Sequence, residues 1–237
     1  MELTSRDSAL LEDLALHQVM TRDQIIALGY FTSIPRANAR LKHLLDAKLL
    51  SRIAIHPLVT ARQSMYVVTK RARPLLDPRI AAMVGARSFT VKHIDHCLMV
   101  VAVRILFGKA GAAGWHSEPQ VRHRYTLKRG GVAKTEDVRP DGLVSIDGRR
   151  IFIEVDRGNV ALARIREKLA SFDTYVSSGM FAATYPGGVP ALLIVTTGAR
   201  RRAHVLACIG HTRKLPVRVL TLESAEHVAN LLEVCTS

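Results

Sequence analysis

The sequence predicts a mixed α+β protein in two parts, and three observations carry that prediction. Residues 5 to 47 show helical spacing of apolar positions in three short segments, and two β-rich segments follow. From residue 88 on, the segments come in the order α-β-β-β-α-β. Between these parts, Pro74, Pro78 and Gly85 mark a boundary region. We therefore expect one domain over residues 1–80 and a second over 88–237. A chain of 237 residues has ample material for both cores.

The first helix is expected over residues 5–17, with Ala9, Leu10, Leu14 and Leu16 apolar. A short second helix runs from Thr21 to Leu28, with Thr21 as N-cap and Gly29 as its stop. The third spans about Ser33 to Ala47 on a stripe of Ile34, Ala37, Leu41, Leu44 and Leu45. Arg36, Ala39, Lys42 and His43 point away from that stripe, and Arg40 lies at its flank. Strands are expected at Ser51–His56 and Met65–Thr69, joined by a loop that holds Arg62. This is the order of a winged helix-turn-helix, whose third helix enters the DNA major groove. Arg36, Arg40, Lys42 and His43 are then candidate DNA contacts, with Arg62 on the wing. The alternative for each is a solvated cation.

Beyond the boundary, a helix is expected over Ser88–Phe107, a strand near Gln120–Leu127 and a basic, Gly-containing loop at Lys128–Lys134. Asp147-Gly148 between β-branched residues signals a two-residue hairpin. With that turn, Asp141 sits across from Glu154. One face carries Val144, Ile146, Ile151, Ile153 and Val155, a set suited to packing on a helix. The other carries Asp141, Leu143, Ser145, Phe152, Glu154 and Asp156. Three carboxylates on one face of a strand pair repel, and so ask for a cation, a metal or a basic partner. After the hairpin, Asn159 is the expected cap of a helix over Val160–Ser177, on Leu162, Ile165, Leu169, Phe172 and Val176. A buried strand (Ala191–Thr196), a basic helical segment (Arg200–His211), a strand (Pro216–Leu222) and a closing helix (Ser224–Val234) complete the chain.

Net charge is +14, which points to a polyanionic partner. Lys and Arg outnumber Asp and Glu 13 to 7 up to residue 87 and 21 to 13 beyond it, so both parts share the excess. Cys97, Cys208 and Cys235 are widely spaced, which suits a reducing compartment and argues against a Cys-rich zinc site. The opening residues are polar and acidic, unlike an export signal. The longest apolar run, Cys97–Phe107, is broken by Arg104 and is too short to span a bilayer. A cytoplasmic protein with no membrane partner is expected.

Two resemblances follow from these residues. Leu41-x-x-Leu-Leu-Asp-Ala-Lys-Leu-Leu followed by Tyr66-Val-Val-Thr-Lys resembles winged-helix regulators. The order from residue 88, with Pro140-Asp141 and Glu154, resembles the restriction-endonuclease-like PD-(D/E)XK fold. That resemblance implies Mg²⁺ held by Asp141 and Glu154, with Asp156 and Glu118 as further acids and Asp95 a weaker candidate. The motif's lysine position holds Asp156, so Lys168 on the next helix is the candidate substitute. Its alternative role is a lysine lying along an apolar stripe. The departure argues for a DNA-binding role over present catalysis.

The whole arrangement is similar to the replication-relaxation family of plasmid and integrative-element proteins. The match rests on His93-x-x-His96, Trp115-x-x-Glu118, Arg139-Pro140-Asp141-Gly142, Glu154-Val155-Asp156-Arg157-Gly158 and Lys168-Leu169, over about residues 8–180. It implies DNA binding in mobile-element replication, transfer or regulation, and the expected function is site-specific binding of double-stranded DNA, with a homodimer as one arrangement. No cofactor is required for that role. A Mg²⁺-dependent endonuclease or nickase is the alternative. For the three carboxylates the structural alternative is a salt-bridge cluster with Arg139, Arg150 or Arg157. For His93 and His96 it is capping or packing.

Overall fold

The computed structural model describes residues 2–53, 64–86, 89–130, 132–146, 148–209, 215–225 and 227. The chain divides into two compact units, residues 1–105 and 106–237.

In the first unit, α1 (Ser5–His17) begins at Thr4, which exchanges hydrogen bonds with Asp7 in a capping box. A two-residue strand, β1 (Met20–Thr21), leads into α2 (Arg22–Ala27), where Thr21 and Gln24 cap each other in the same way. Gly29, at φ +87°, supplies the left-handed residue that ends this turn. The third helix, α3 (Ile34–Asp46), carries Pro35 in its first turn and buries Ala37, Leu41 and Leu44. These share a core with Leu10, Leu11, Leu14 and Ile25. Strands β2 (Leu50–Ile53) and β3 (Met65–Val68) join β1 in an antiparallel sheet of order β1-β3-β2. Arg62 lies outside the described residues. The short helix α4 (Pro78–Ala81) follows a 3-10 segment, Lys70–Leu75.

The long helix α5 (Val91–Lys109) changes the expected partition. Its Ile94 and Cys97 pack with Met65 and Val67, and its Val101 joins the core of α1 to α3. The division therefore falls inside α5 and not at residues 81–87. Pro and Gly mark where the chain turns; they do not decide which core the next helix covers.

The second unit holds β4 (Ala113–Ser117), the short α6 (Glu118–Val121), and a separate two-stranded ribbon of β5 (His123–Arg129) and β6 (Val132–Val138). The hairpin β7 (Gly142–Ile146) and β8 (Arg149–Asp156) comes next, then α7 (Leu162–Ser177), α8 (Met180–Thr184) and β9 (Ala191–Thr196). Helix α9 (Ala199–Leu206), β10 (Val217–Thr221) and α10 (Leu222–Ala225) close it. The main sheet has the order β10-β9-β8-β7-β4. Pairs β4-β7 and β7-β8 are antiparallel, whereas β8-β9 and β9-β10 are parallel.

The expected run of three strands, a helix and a strand corresponds to β4, β7, β8, α7 and β9, but its first strand is residues 113–117. The segment read as that strand, and the basic loop after it, form the inserted ribbon instead. Helix α7 starts at Leu162 behind Ala161, with no side-chain cap from Asn159. The closing helix expected to residue 234 falls almost wholly outside the described residues. Both faces of the β7–β8 hairpin carry buried residues: Val144, Ile146, Ile151, Ile153 and Val155 on the one expected, and on the other Leu143 and Phe152, which pack with Ile165, Leu169 and Phe172 of α7 and Val205 of α9. No described helix is long and apolar enough to cross a membrane.

Candidate functional site

The hairpin register is the one the Asp-Gly turn dictates: Gly142 pairs with Ile153, Leu143 with Phe152 and Ile146 with Arg149. Asp141 lies one residue beyond the ladder, facing the Glu154 position. Its amide donates to the Ile153 carbonyl at 2.9 Å, and its Oδ2 accepts from the Val155 amide at 2.7 Å. Trp115 of β4 lies against Gly142, where a Cβ would meet its ring at 2.4 Å, so glycine is required at that crossing.

Glu154 follows Phe152 on the helix-covered face and is itself buried. Lys168, two turns into α7, donates to its Oε2 and forms an ion pair with it. Oε1 is buried with no hydrogen-bond partner among the described residues. Burial pushes the Glu154 carboxyl up, to about 8; Lys168 opposes the rise, and the charges of Asp141 and Glu118 add to it. Burial alone would lower the Lys168 ammonium, but Glu154, Asp141 and Glu118 together hold it above its ordinary value. Helix α7 thus brings one ammonium group to the Glu154 carboxylate.

Asp156 does not join this group. Arg201 of α9 grips it with two hydrogen bonds, at 2.6 and 3.0 Å, and Thr196 Oγ1 and the Gly158 amide donate at 3.2 and 3.1 Å. Its carboxylate is thereby occupied as a strut between β8 and α9. Two of the three arginines expected as counter-charges go elsewhere: Arg139 binds Asp137 at 2.8 Å, and Arg150 donates to the Pro186 carbonyl at 2.7 Å. His93 bonds Gln18 at 2.8 Å, a packing role within the first unit. Among the described residues no three His, Cys, Asp or Glu side chains group to hold a metal. Asp141 and Glu154 are hard oxygen donors, and a Mg²⁺ ion is commonly held by one or two carboxylates with water and phosphate completing its shell. These two residues fit that donor chemistry.

The second charged surface is on α3. Arg36, Asn38, Lys42 and His43 are exposed on one side of it. Arg36 donates to Thr32 Oγ1 at 3.2 Å, and Lys42 pairs with Asp46 at 2.8 Å in the open. An exposed pair of this spacing contributes only about 0.3–0.5 kcal/mol, so either cation is readily recruited by another anion. Arg40 is different: it binds Asp7, fully buried on α1, through Nε at 2.9 Å, and its Nη2 donates to the Glu2 carbonyl at 3.0 Å. Burial works against the Asp7 carboxylate, but the Arg40 and Thr4 hydrogen bonds hold it down at about 2. Arg40 therefore ties α3 to α1.

A groove of about 920 Å³ runs beside α3, lined by Arg22, Asn38, Lys42, Lys48, Arg52 and Tyr66 among others. Arg22, Lys48 and Arg52 escaped the sequence reading because they come from three different segments. The turn after α3, with Lys48 at φ +58°, gathers them.

A family model described as replication-relaxation matches residues 11–192. Among curated proteins, none matches the chain in sequence. One solved structure, protein VC1899 from Vibrio cholerae, aligns with all of this chain and 58% of its own, at 9% identity and a TM-score of 0.35. The family match runs from α1 into β9 and takes in both charged sites. The chain belongs to the replication-relaxation family.

Proposed function

We propose that this chain binds double-stranded DNA site-specifically, in the replication, transfer or regulation of a mobile element. The family's description points toward replication. The observation that carries the reading is the exposed α3 face of Arg36, Asn38, Lys42 and His43 beside a groove lined by Arg22, Lys48 and Arg52. In this reading residues 1–80 act as a winged helix-turn-helix, with α3 in the major groove and the groove cations on phosphates. Arg62, outside the described residues, is proposed as a contact to phosphate or the minor groove. Arg40 is a positioning residue, since its guanidinium is committed to Asp7. A homodimer would read two half-sites.

Footprinting on the DNA upstream of the protein's own coding region tests this. A protected site is expected, palindromic if the protein binds as a dimer. Arg36→Ala with Lys42→Ala should weaken binding tenfold or more, about 1–3 kcal/mol per lost base contact. Unchanged affinity would remove α3 as the reader, and absence of duplex binding would overturn the proposal.

A second reading, Mg²⁺-dependent cleavage of the phosphodiester backbone, is favoured by one observation: buried Glu154 presents an unpartnered Oε1 while Lys168 holds its other oxygen. A bound Mg²⁺ would supply an activated water and charge neutralisation at phosphorus. The chain itself supplies carboxylate oxygens from Asp141 and Glu154, and Lys168 keeps a cation at the site. Supercoiled plasmid incubated with Mg²⁺ or Mn²⁺ should be nicked, and Asp141→Ala or Glu154→Ala should abolish nicking. Retained DNA binding without cleavage would overturn this second reading alone.

A further inference from the structure

The β5–β6 ribbon is paired along its whole length, from His123 with Val138 to Arg129 with Val132. Alternation gives it two unlike faces. One carries Tyr125 and Leu127, and Tyr125 packs on Tyr175 with ring centroids 5.4 Å apart. The other carries Arg124, Thr126 and Lys128, set opposite Asp137, Thr135 and Ala133. All of these except Asp137 are exposed.

Asp137 is already engaged. Arg122 grips it with bonds of 3.1 and 2.7 Å, and Arg139 adds two, at 2.8 and 2.5 Å. Their hydrogen bonds hold its carboxyl well below the usual carboxylate range. Among the described residues, Arg124 and Lys128 form no ion pair. Arg124 therefore stands opposite a carboxylate already held by Arg122 and Arg139, Lys128 lies further along the same face opposite Ala133, and Thr126 and Thr135 lie between.

A protein partner would ask for an aromatic or large aliphatic anchor, and this face has none. Cations separated by small residues and hydroxyls suit a phosphate backbone, approached closely and without side-chain obstruction. A two-stranded ribbon is also an element that duplex DNA admits in its major groove.

We propose that the outward face of the β5–β6 ribbon is a second contact with duplex DNA, in which Arg124 and Lys128 bind phosphates and Thr126 and Thr135 approach the backbone. The inference rests on the DNA-binding reading and adds to it a surface in the other compact unit.

The test uses the full chain and a mixed-sequence DNA duplex. Arg124→Ala with Lys128→Ala should lower the slope of log affinity against log salt by about 1.8, at about 0.9 per phosphate contact. Arg164→Ala with Arg166→Ala, exposed on α7, removes the same charge and should lower it less. A photo-crosslinking amino acid at Thr126 should label the DNA, as one at His43 should for α3. Labelling at His43 without labelling at Thr126, with the slope unchanged in the ribbon variant, overturns the ribbon and leaves α3 intact. Equal slope changes in the two double variants also overturn it. No binding by the unmodified chain overturns both readings.

Discussion

Glu154 and Asp156 stand two residues apart on the same face of the same strand, and their surroundings are opposites. Asp156 receives two bonds from one guanidinium, one from a hydroxyl and one from an amide. Glu154 receives one ammonium and keeps a buried oxygen without a partner. A buried carboxylate costs several kcal/mol in lost hydration unless its partners replace the water. At Asp156 that replacement is complete, which marks a strut. At Glu154 it is incomplete, and burial pushes the carboxyl up to about 8 against the pull of the Lys168 ammonium. Incomplete satisfaction beside a lysine is a common signature of a site that works on a ligand.

The contrast can be broken by substitution. Arg201→Ala leaves the Asp156 charge buried and should cost about 3–5 kcal/mol in urea unfolding. A loss under 1 kcal/mol would show that Asp156 is not the strut described. A buried group in the first unit extends the comparison. His17 is held neutral by burial at about 4, with Asp13 opposing and Arg104 reinforcing that fall from 6.5. The unfolded chain takes up this proton below pH 6.5 and the folded chain only near 4. Stability should thus fall as pH drops through that window, by up to about 3 kcal/mol. His17→Gln should flatten the decline in a pH series of thermal melts. A smaller effect is expected for Lys168→Met, since its side chain is 43% exposed and screened. About 1 kcal/mol should be lost, with the Glu154 carboxyl moving further up in a carboxyl-resolved NMR titration. Smallest is Glu154→Gln, which removes a charge that burial already disfavours. Stability should hold within about 1 kcal/mol, whereas Asp156→Asn should cost clearly more. Equal losses at the two positions would erase the distinction.

Much of this was legible in the chain. The first helix runs over the residues its spacing indicates, and the Asp-Gly turn sets the β7–β8 register that puts Asp141 across from Glu154. Lys168 was traceable because its place beside the apolar stripe of α7 aims it at the same sheet face. What sequence hides is partnership between segments. Arg40 sits at the flank of its stripe, and nothing local says that Asp7 lies across from it. Asp156 carries the same charge as Glu154, and only the docking of α9 separates them. Strand β4 is obscured by Gly114, at φ +68°, and by a register shift in its pairing with β7. The start of the ribbon's second strand, β6, reads as a loop because that strand is exposed along most of its length and lacks an apolar alternation.

As proposed, α3 and its groove hold a DNA duplex. The most direct measurement is the salt dependence of duplex affinity for the unmodified chain and for Arg36→Ala with Lys42→Ala. Affinity should fall steeply with salt for the unmodified chain, and the double variant should bind more weakly with a slope shallower by about 1.8. Identical affinity and slope in the two proteins would contradict the claim.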